Sequence, residues 1–187
     1  DHYPIKSWTL KGLVVPRNSI IQIPGVWDKL KWKVAGEELT IGHIEHGLLR
    51  PDFKEPRIHF AIVCASIGCP ELRPEAYTFD RVEAQMEEQT HTYLSNSEKG
   101  VRIDYKRKRV SVTQFFKWFN EDFAVAPPSG VKIISRNKKE RIALEFISHY
   151  RQESVDRELL QSKDIDFDFL SYDWSLNDIP KSDDSAS

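Results

Sequence analysis

One stretch constrains what this chain can fold into more than any other: residues 57–70, Arg57-Ile-His-Phe-Ala-Ile-Val-Cys-Ala-Ser-Ile-Gly-Cys-Pro70. It is the longest apolar run in the sequence, it holds both cysteines, and it ends in small residues. Ile, Val and Phe dominate residues 58–63 without a break until Ala65-Ser66, a pattern that predicts a central strand buried on both faces. Such a strand delivers side chains to a rim, here Cys64 and Cys69 in a loop of Ser, Gly and Pro. Purely structural core strands end the same way, so the stretch names a place to look before it names a function.

The flanking sequence supplies elements to pack around it. Residues 1–24 read as a loop-rich wrapping segment with a short strand near 20–23. Residues 31–34 and 38–41 form a β-hairpin across Ala35-Gly36-Glu37, after which Thr40 caps a helix reaching Leu49 and stopped by Arg50-Pro51. On that helix Ile41, Ile44, Leu48 and Leu49 share a face, Glu45 sits at its edge, and His43 and His46 fall on the wetter side. Thr78 opens a helix over 79–94 with Val82, Met86, Gln89 and Tyr93 along one stripe. Residues 101–105 and 109–112 alternate as a second hairpin with the basic run 106–109 at its solvated tip. Thr113 caps an aromatic helix over 114–120, 124–130 is a loop, and Asn137 caps a helix over 138–150. A short helix near 155–161, a strand at 165–170 and a polar, disordered tail over 181–187 complete the chain. The sum is an α+β single domain over 1–180, with a central mixed or antiparallel sheet and helices packed around it.

Composition narrows the function classes. The 187 residues are 40% hydrophobic and 30% charged with a net charge of -2, so no charge footprint for nucleic acid exists. No apolar window reaches the length of a membrane span. Two cysteines are too few for a disulfide scaffold or a four-cysteine zinc site. The chain starts at Asp1 rather than Met, so this end does not report a compartment.

Set side by side, Ile44-Glu-His-Gly-Leu-Leu-Arg-Pro51, the 57–70 stretch, Tyr77-Thr78 and Tyr172-Asp-Trp-Ser-Leu-Asn177 form a familiar series. In order and spacing, from His2 to Asn177, it resembles the uncharacterised family known as domain of unknown function 547. The family has no settled activity, so the resemblance implies a fold first, with a distant relationship to papain-like thiol hydrolases. It also implies export, to periplasm or exterior, if the source is bacterial, and in some plant and animal members neighbouring glutaredoxin-like or signalling domains. Matching plant members keep a cysteine at the position of Cys64 and carry a small polar residue at that of Cys69, which makes Cys64 the more general feature. The family's usual upstream helix, rich in Trp, Asn and Tyr, would lie just ahead of His2-Tyr-Pro4, and with it a site-orienting Asn.

Cys64 is the candidate nucleophile of a thiol-dependent hydrolase or transferase, since a thiolate needs a neighbouring base or dipole and some exposure. As a strand residue, Cys64 would share a face with Ile58, Phe60 and Ile62, leaving His59 on the other side as a core histidine held by a hydrogen bond. His46, near a helix C-terminus, is then the better base and His59 the second choice. Asp173 and Asn177 are candidate orienting groups, or else parts of a clamp anchored by Trp174. Glu45 is expected to pair with Arg50 or Arg57. His43 and His46 have a permissive metal-ligand spacing without an evident third ligand, and neither metal nor cofactor is assigned. Cys64 and Cys69 can alternatively close a redox-active or structural disulfide if their Cα atoms approach within about 6 Å. A non-catalytic ligand- or protein-binding module built from the same residues is the competing class. The implied partner is a small molecule or peptide, and oligomeric state is open.

Overall fold

A computed structural model describes residues 7–10, 13–16, 18–124, 133 and 137–177. The expected tail at 181–187, the Pro127-Pro128 loop and the His2-Tyr-Pro4 motif lie outside these residues. The fold is mixed α+β, as the order of elements implied. Three small sheets are present among the described residues: the hairpin β1 (Ser7–Leu10) and β2 (Leu13–Pro16), the hairpin β3 (Lys31–Val34) and β4 (Glu37–Thr40), and a three-stranded sheet. The third sheet has the order β5 (Val101–Asp104), β6 (Arg109–Val112), β7 (Asp166–Phe169), with β5 antiparallel and β7 parallel to β6. The parallel return is made by α5 (Phe115–Trp118), α6 (Lys138–Tyr150) and α7 (Ser154–Gln161).

The 57–70 stretch is not a strand. Its apolar half is a single helical turn, α3 (Ile58–Ala61), and the sheet is centred on β6 instead. A six-residue apolar run has no periodicity that separates buried strand from buried helix, and local bonds decide the matter here. His59 N–H donates to Pro56 O at 3.3 Å, Phe60 N–H to Arg57 O at 3.0 Å and Ile62 N–H to Ile58 O at 2.9 Å, so the turn satisfies itself without a partner strand. Phe60, fully buried, becomes a plug ringed by Tyr93, Phe115, Phe116, Phe123 and Phe146, with ring centroids 5.4–6.4 Å away. Strand parity therefore does not apply to His59 and Cys64.

Three further elements depart from expectation. The expected strand at 20–23 is a 3₁₀ turn, Ile20–Gln22, whose Ile20 joins Ile23 and Val26 in a small satellite core under Trp174 and Leu176. The helix after Thr40 does not stop at Pro51. It starts as α1 (Ile41–His43), widens into a π-helical stretch, Ile44–Leu49, and continues as α2 (Arg50–Phe53) to Lys54, whose φ of 49° ends it. A proline ring collides with the carbonyl four residues back in a regular helix, and the wider turn ahead of Pro51 relieves that clash. Thr40 does cap this helix: its hydroxyl oxygen accepts from His43 N–H at 3.1 Å. The helix expected from residue 79 begins three residues later, as α4 (Val82–Ser95), with Phe79 left fully exposed. The second hairpin and the Asn137 cap, where Glu140 N–H donates to Asn137 Oδ1 at 3.1 Å, lie where expected.

The main core is the layer between the three-stranded sheet and α4, α5 and α6, built on Leu94, Val110, Val112, Phe116, Leu144 and Ile147. Among the described residues no helix is long and apolar enough to cross a membrane.

Candidate functional site

The loop after α3 leaves helical geometry at Ile62, passes through Ala65 at φ 56°, and is stitched to the C-terminal segment. Ser66 bridges Leu176, Ile67 N–H donates to Ser175 O and Gly68 N–H to Asp173 O, both at 2.9 Å. Gly68 has no side chain because Tyr172 packs there: a Cβ would lie 3.0 Å from its ring. These contacts place Cys64, half-buried, and Cys69, 4% exposed, on one wall of a cavity of about 370 Å³. The other lining residues include Trp27, Phe115, Trp118, Phe119, Tyr172 and Trp174, with Asp28, Glu45, His46 and His59 as the polar ones.

Cys64 and Cys69 are joined as a disulfide, with Cα atoms 6.2 Å apart. Of the two alternatives left open by the sequence, a free Cys64 thiol and a Cys64–Cys69 bond, this state has the bond. The Cys64 backbone N–H donates to Cys69 Sγ at 2.8 Å. On the other sulfur, Ser66 Oγ and Tyr172 Oη lie 3.1 and 3.2 Å from Cys64 Sγ and 2.9 Å from each other. Burial pushes the Tyr172 phenol up, with the Ser66 hydrogen bond opposing, so Tyr172 keeps its proton and can donate it in a hydrogen bond. Beneath the loop, Lys99 Nζ donates to Cys69 O at 2.8 Å and pairs with Glu71.

The π-helical stretch brings Glu45 and His46 to the same cavity that α3 reaches with His59. His59 is 4% exposed and stacks on Phe119 at 3.9 Å with the rings 10° apart. Its Nε2 meets Asp122 Oδ2 at 2.8 Å, and the same carboxylate holds Arg50 through two bonds, 2.6 and 3.0 Å. Burial pushes the His59 imidazolium down to about 4, with Asp122 opposing and Arg50 and His46 adding to the fall. The neutral ring thus donates from Nε2 to Asp122 and keeps a lone pair on Nδ1. Burial works to raise Asp122, yet the hydrogen bonds from Arg50 and His59 outweigh it and hold the carboxyl below its usual range. His46 takes a third bond, accepting on Nδ1 from the Arg50 guanidinium at 3.1 Å, since a guanidinium only donates.

The sequence-derived candidates thus divide. Cys64, His46 and His59 line one cavity, but among the described residues no imidazole nitrogen hydrogen-bonds the Cys64 sulfur; its polar neighbours are Ser66 and Tyr172. Asp173 and Asn177 are clamp residues: Asp173 Oδ1 accepts from Ser175 N–H at 2.8 Å, and Asn177 N–H donates to Ala65 O at 3.0 Å. Glu45 does not pair with Arg57, which binds Glu55, Glu83 and Glu87, or directly with Arg50; its Oε1 lies 3.8 Å from His46 Nδ1. His43 lies against Gly47 on the exposed side. Sequence reasoning missed Asp122 and Tyr172 as partners, for they lie 63 and 108 residues from the groups they touch. The acidic pair ending the aromatic helix was the only local hint.

Residues 6–94 match the family model described as Protein of unknown function, DUF547. The resemblance holds over that stretch. No curated protein and no solved structure matches the chain. The family is uncharacterised, so the match brings no activity with it. It does divide the cavity: both cysteines, Glu45, His46 and His59 fall within the matched residues, while Trp118, Asp122, Tyr172 and Trp174 lie beyond them.

Proposed function

We propose that the cavity is a thiol–disulfide exchange site, in which Cys64 is the sulfur attacked and Cys69 the sulfur that leaves. The observation that carries this reading is the bonded pair itself, set in the wall of an aromatic cavity with its two sulfurs in unequal surroundings. An incoming thiolate reaches the half-buried Cys64 and not the buried Cys69. As its sulfur bonds to Cys64 Sγ, the Cys64–Cys69 bond breaks and the electron pair stays on Cys69 Sγ, where the Cys64 N–H already donates. A second thiolate attacks the mixed disulfide, releases Cys64 as a thiolate facing the Ser66 and Tyr172 hydroxyls, and departs as the oxidised dimer. Two thiols are oxidised, one protein disulfide is reduced, and each protein thiolate takes a proton from solvent.

A second reading keeps Cys64, once reduced, as the nucleophile of a hydrolase, with His59 or His46 as base; the His59–Asp122 pair is the observation in its favour. Here Asp122 supplies the orientation that Asp173 and Asn177 were expected to give. Magnitude argues against His59 in that role: moving a proton from an ordinary thiol, about 8.5, to an imidazole held at about 4 costs about 6 kcal/mol. Hydrogen-bond donors to sulfur, as in the exchange reading, stabilise a thiolate without that transfer.

The two are separated by single-cysteine variants and 2,2′-dipyridyl disulfide. Exchange requires that Cys69→Ser form a stable mixed disulfide at position 64 much faster than Cys64→Ser does at position 69. Equal rates, or no reaction in the folded protein, reject it, and turnover of a thioester by the reduced protein supports the hydrolase in its place.

A further inference from the structure

The cavity is charged with one sign. Among the described residues that line it there is no Lys or Arg, while Asp28 and Glu45 are both among the lining residues. Neither is in an ion pair with a Lys or Arg among the described residues, although Arg50 attracts Glu45 through space. The Arg50 guanidinium, which does not line the cavity, is engaged by its two-bond clasp with Asp122, its bond to His46 Nδ1 and the Phe119 face. The approach of Asp28 is built into the backbone. Gly42 donates its N–H to Trp27 O at 2.8 Å, and a Cβ on Gly42 would lie 3.0 Å from both Trp27 O and Asp28 Oδ1.

The same cavity is lined by a connected set of aromatic rings. Trp118 lies 5.0 Å from Tyr172 and 5.7 Å from Trp174, and Tyr172 lies 4.5 Å from Trp174, all centroid to centroid. Indole and phenol faces attract a cation within about 6 Å, and the attraction grows where water is excluded. At about 370 Å³ the space is in the range of small-molecule sites. Carboxyl groups outside any Lys or Arg ion pair, sharing one cavity with electron-rich rings, are complementary to one ligand class.

We propose that the cavity selects a small cationic ligand, an alkylammonium or quaternary ammonium group held between the rings and the carboxyl groups of Asp28 and Glu45. Resting on the exchange reading, this makes the substrate a cationic aminothiol rather than an anionic thiol such as glutathione. The ammonium occupies the ring-and-carboxyl end and the thiolate reaches Cys64 on the disulfide wall.

Two arms test it. In the first, the oxidised protein is titrated with benzyltrimethylammonium, benzyl alcohol and benzenesulfonate, read by quenching of indole fluorescence. The cation binds ~10-fold or more tighter than the neutral ligand, the anion binds weakest, and Asp28→Asn with Glu45→Gln abolishes the preference while thermal unfolding shows the fold retained. In the second, reduction rates by cysteamine and 3-mercaptopropionate are each divided by that thiol's rate on a free model disulfide, and the normalised ratio favours cysteamine. A cation that binds no tighter than benzyl alcohol, or a preference that survives both substitutions, overturns the proposal. The first arm contains no thiol. Charge preference without exchange therefore rejects the redox reading alone, and exchange without charge preference rejects the cation site alone.

Discussion

His59 and Asp122 are joined by a 2.8 Å hydrogen bond between elements 63 residues apart, and the imidazole is kept neutral by its burial. The folded state holds the His59 proton less tightly than the unfolded chain, about 4 against about 6.5. The unfolded state therefore binds more protons between these values, and stability falls as pH drops from 6.5 to 4, by about 3 kcal/mol in total. Thermal unfolding between pH 7 and 4.5 measures the slope. In His59→Phe, which keeps the stack on Phe119, the slope flattens; an unchanged slope sinks this account.

Arg50 grips Asp122 with two nitrogens, and a lysine offers one point charge in place of that fork. Arg50→Lys is expected to cost about 2 kcal/mol in urea unfolding, beyond the 0.5 kcal/mol of a typical surface change. It also frees Nδ1 of His46, visible as a shifted imidazole resonance in NMR.

The Cys64–Cys69 loop is short, so its bond restricts the unfolded chain only modestly. Reduction should remove about 2 kcal/mol of stability. For a chain of this size that corresponds to a Tm lower by roughly 4–8 °C, read in scans with and without dithiothreitol. A collapse of the fold on reduction would mean that the loop carries far more of the tertiary structure than its contacts imply.

Tyr172 reaches the Cys64 sulfur only through its hydroxyl. Tyr172→Phe removes one donor to the thiolate and leaves the ring stack with Trp174 in place. Alkylation of reduced Cys69→Ser at neutral pH should slow roughly fivefold, the equivalent of one hydrogen bond of about 1 kcal/mol. Equal rates would show that the hydroxyl does not act on the sulfur.

Gly100 is buried where α4 turns into β5, and a Cβ there would overlap the Tyr93 carbonyl oxygen and lie 2.9 Å from Asn96 O. Both obstacles are backbone, so neither can swing aside. Gly100→Ala is expected to destabilise by about 3 kcal/mol, measured by chemical denaturation.

Features written in neighbouring residues were legible without coordinates. Ala35-Gly36 has the left-handed pair of φ values, 51° and 93°, that a two-residue hairpin needs, and Gly at the second position signalled it. The Thr40 and Asn137 caps act within three residues of themselves. The 57–70 stretch misled, because β-branched residues report burial as much as strand, and here Phe60 buries against aromatic rings from four other elements. Strand parity would turn His59 away from Cys64, and a helical turn has no such parity.

By itself, the sequence determined that the fold is mixed α+β, that Phe60 belongs to its core and that two cysteines follow in the next loop. Only the tertiary structure decided what those cysteines face. Whether the two cysteines bond depends on the path of a loop held by the C-terminal segment, and whether a histidine is neutral depends on Asp122 and Phe119, distant in the chain. The apolar pattern states how much is buried; the identity of the group across the cavity is set by chain closure over a hundred residues, and no local pattern encodes it.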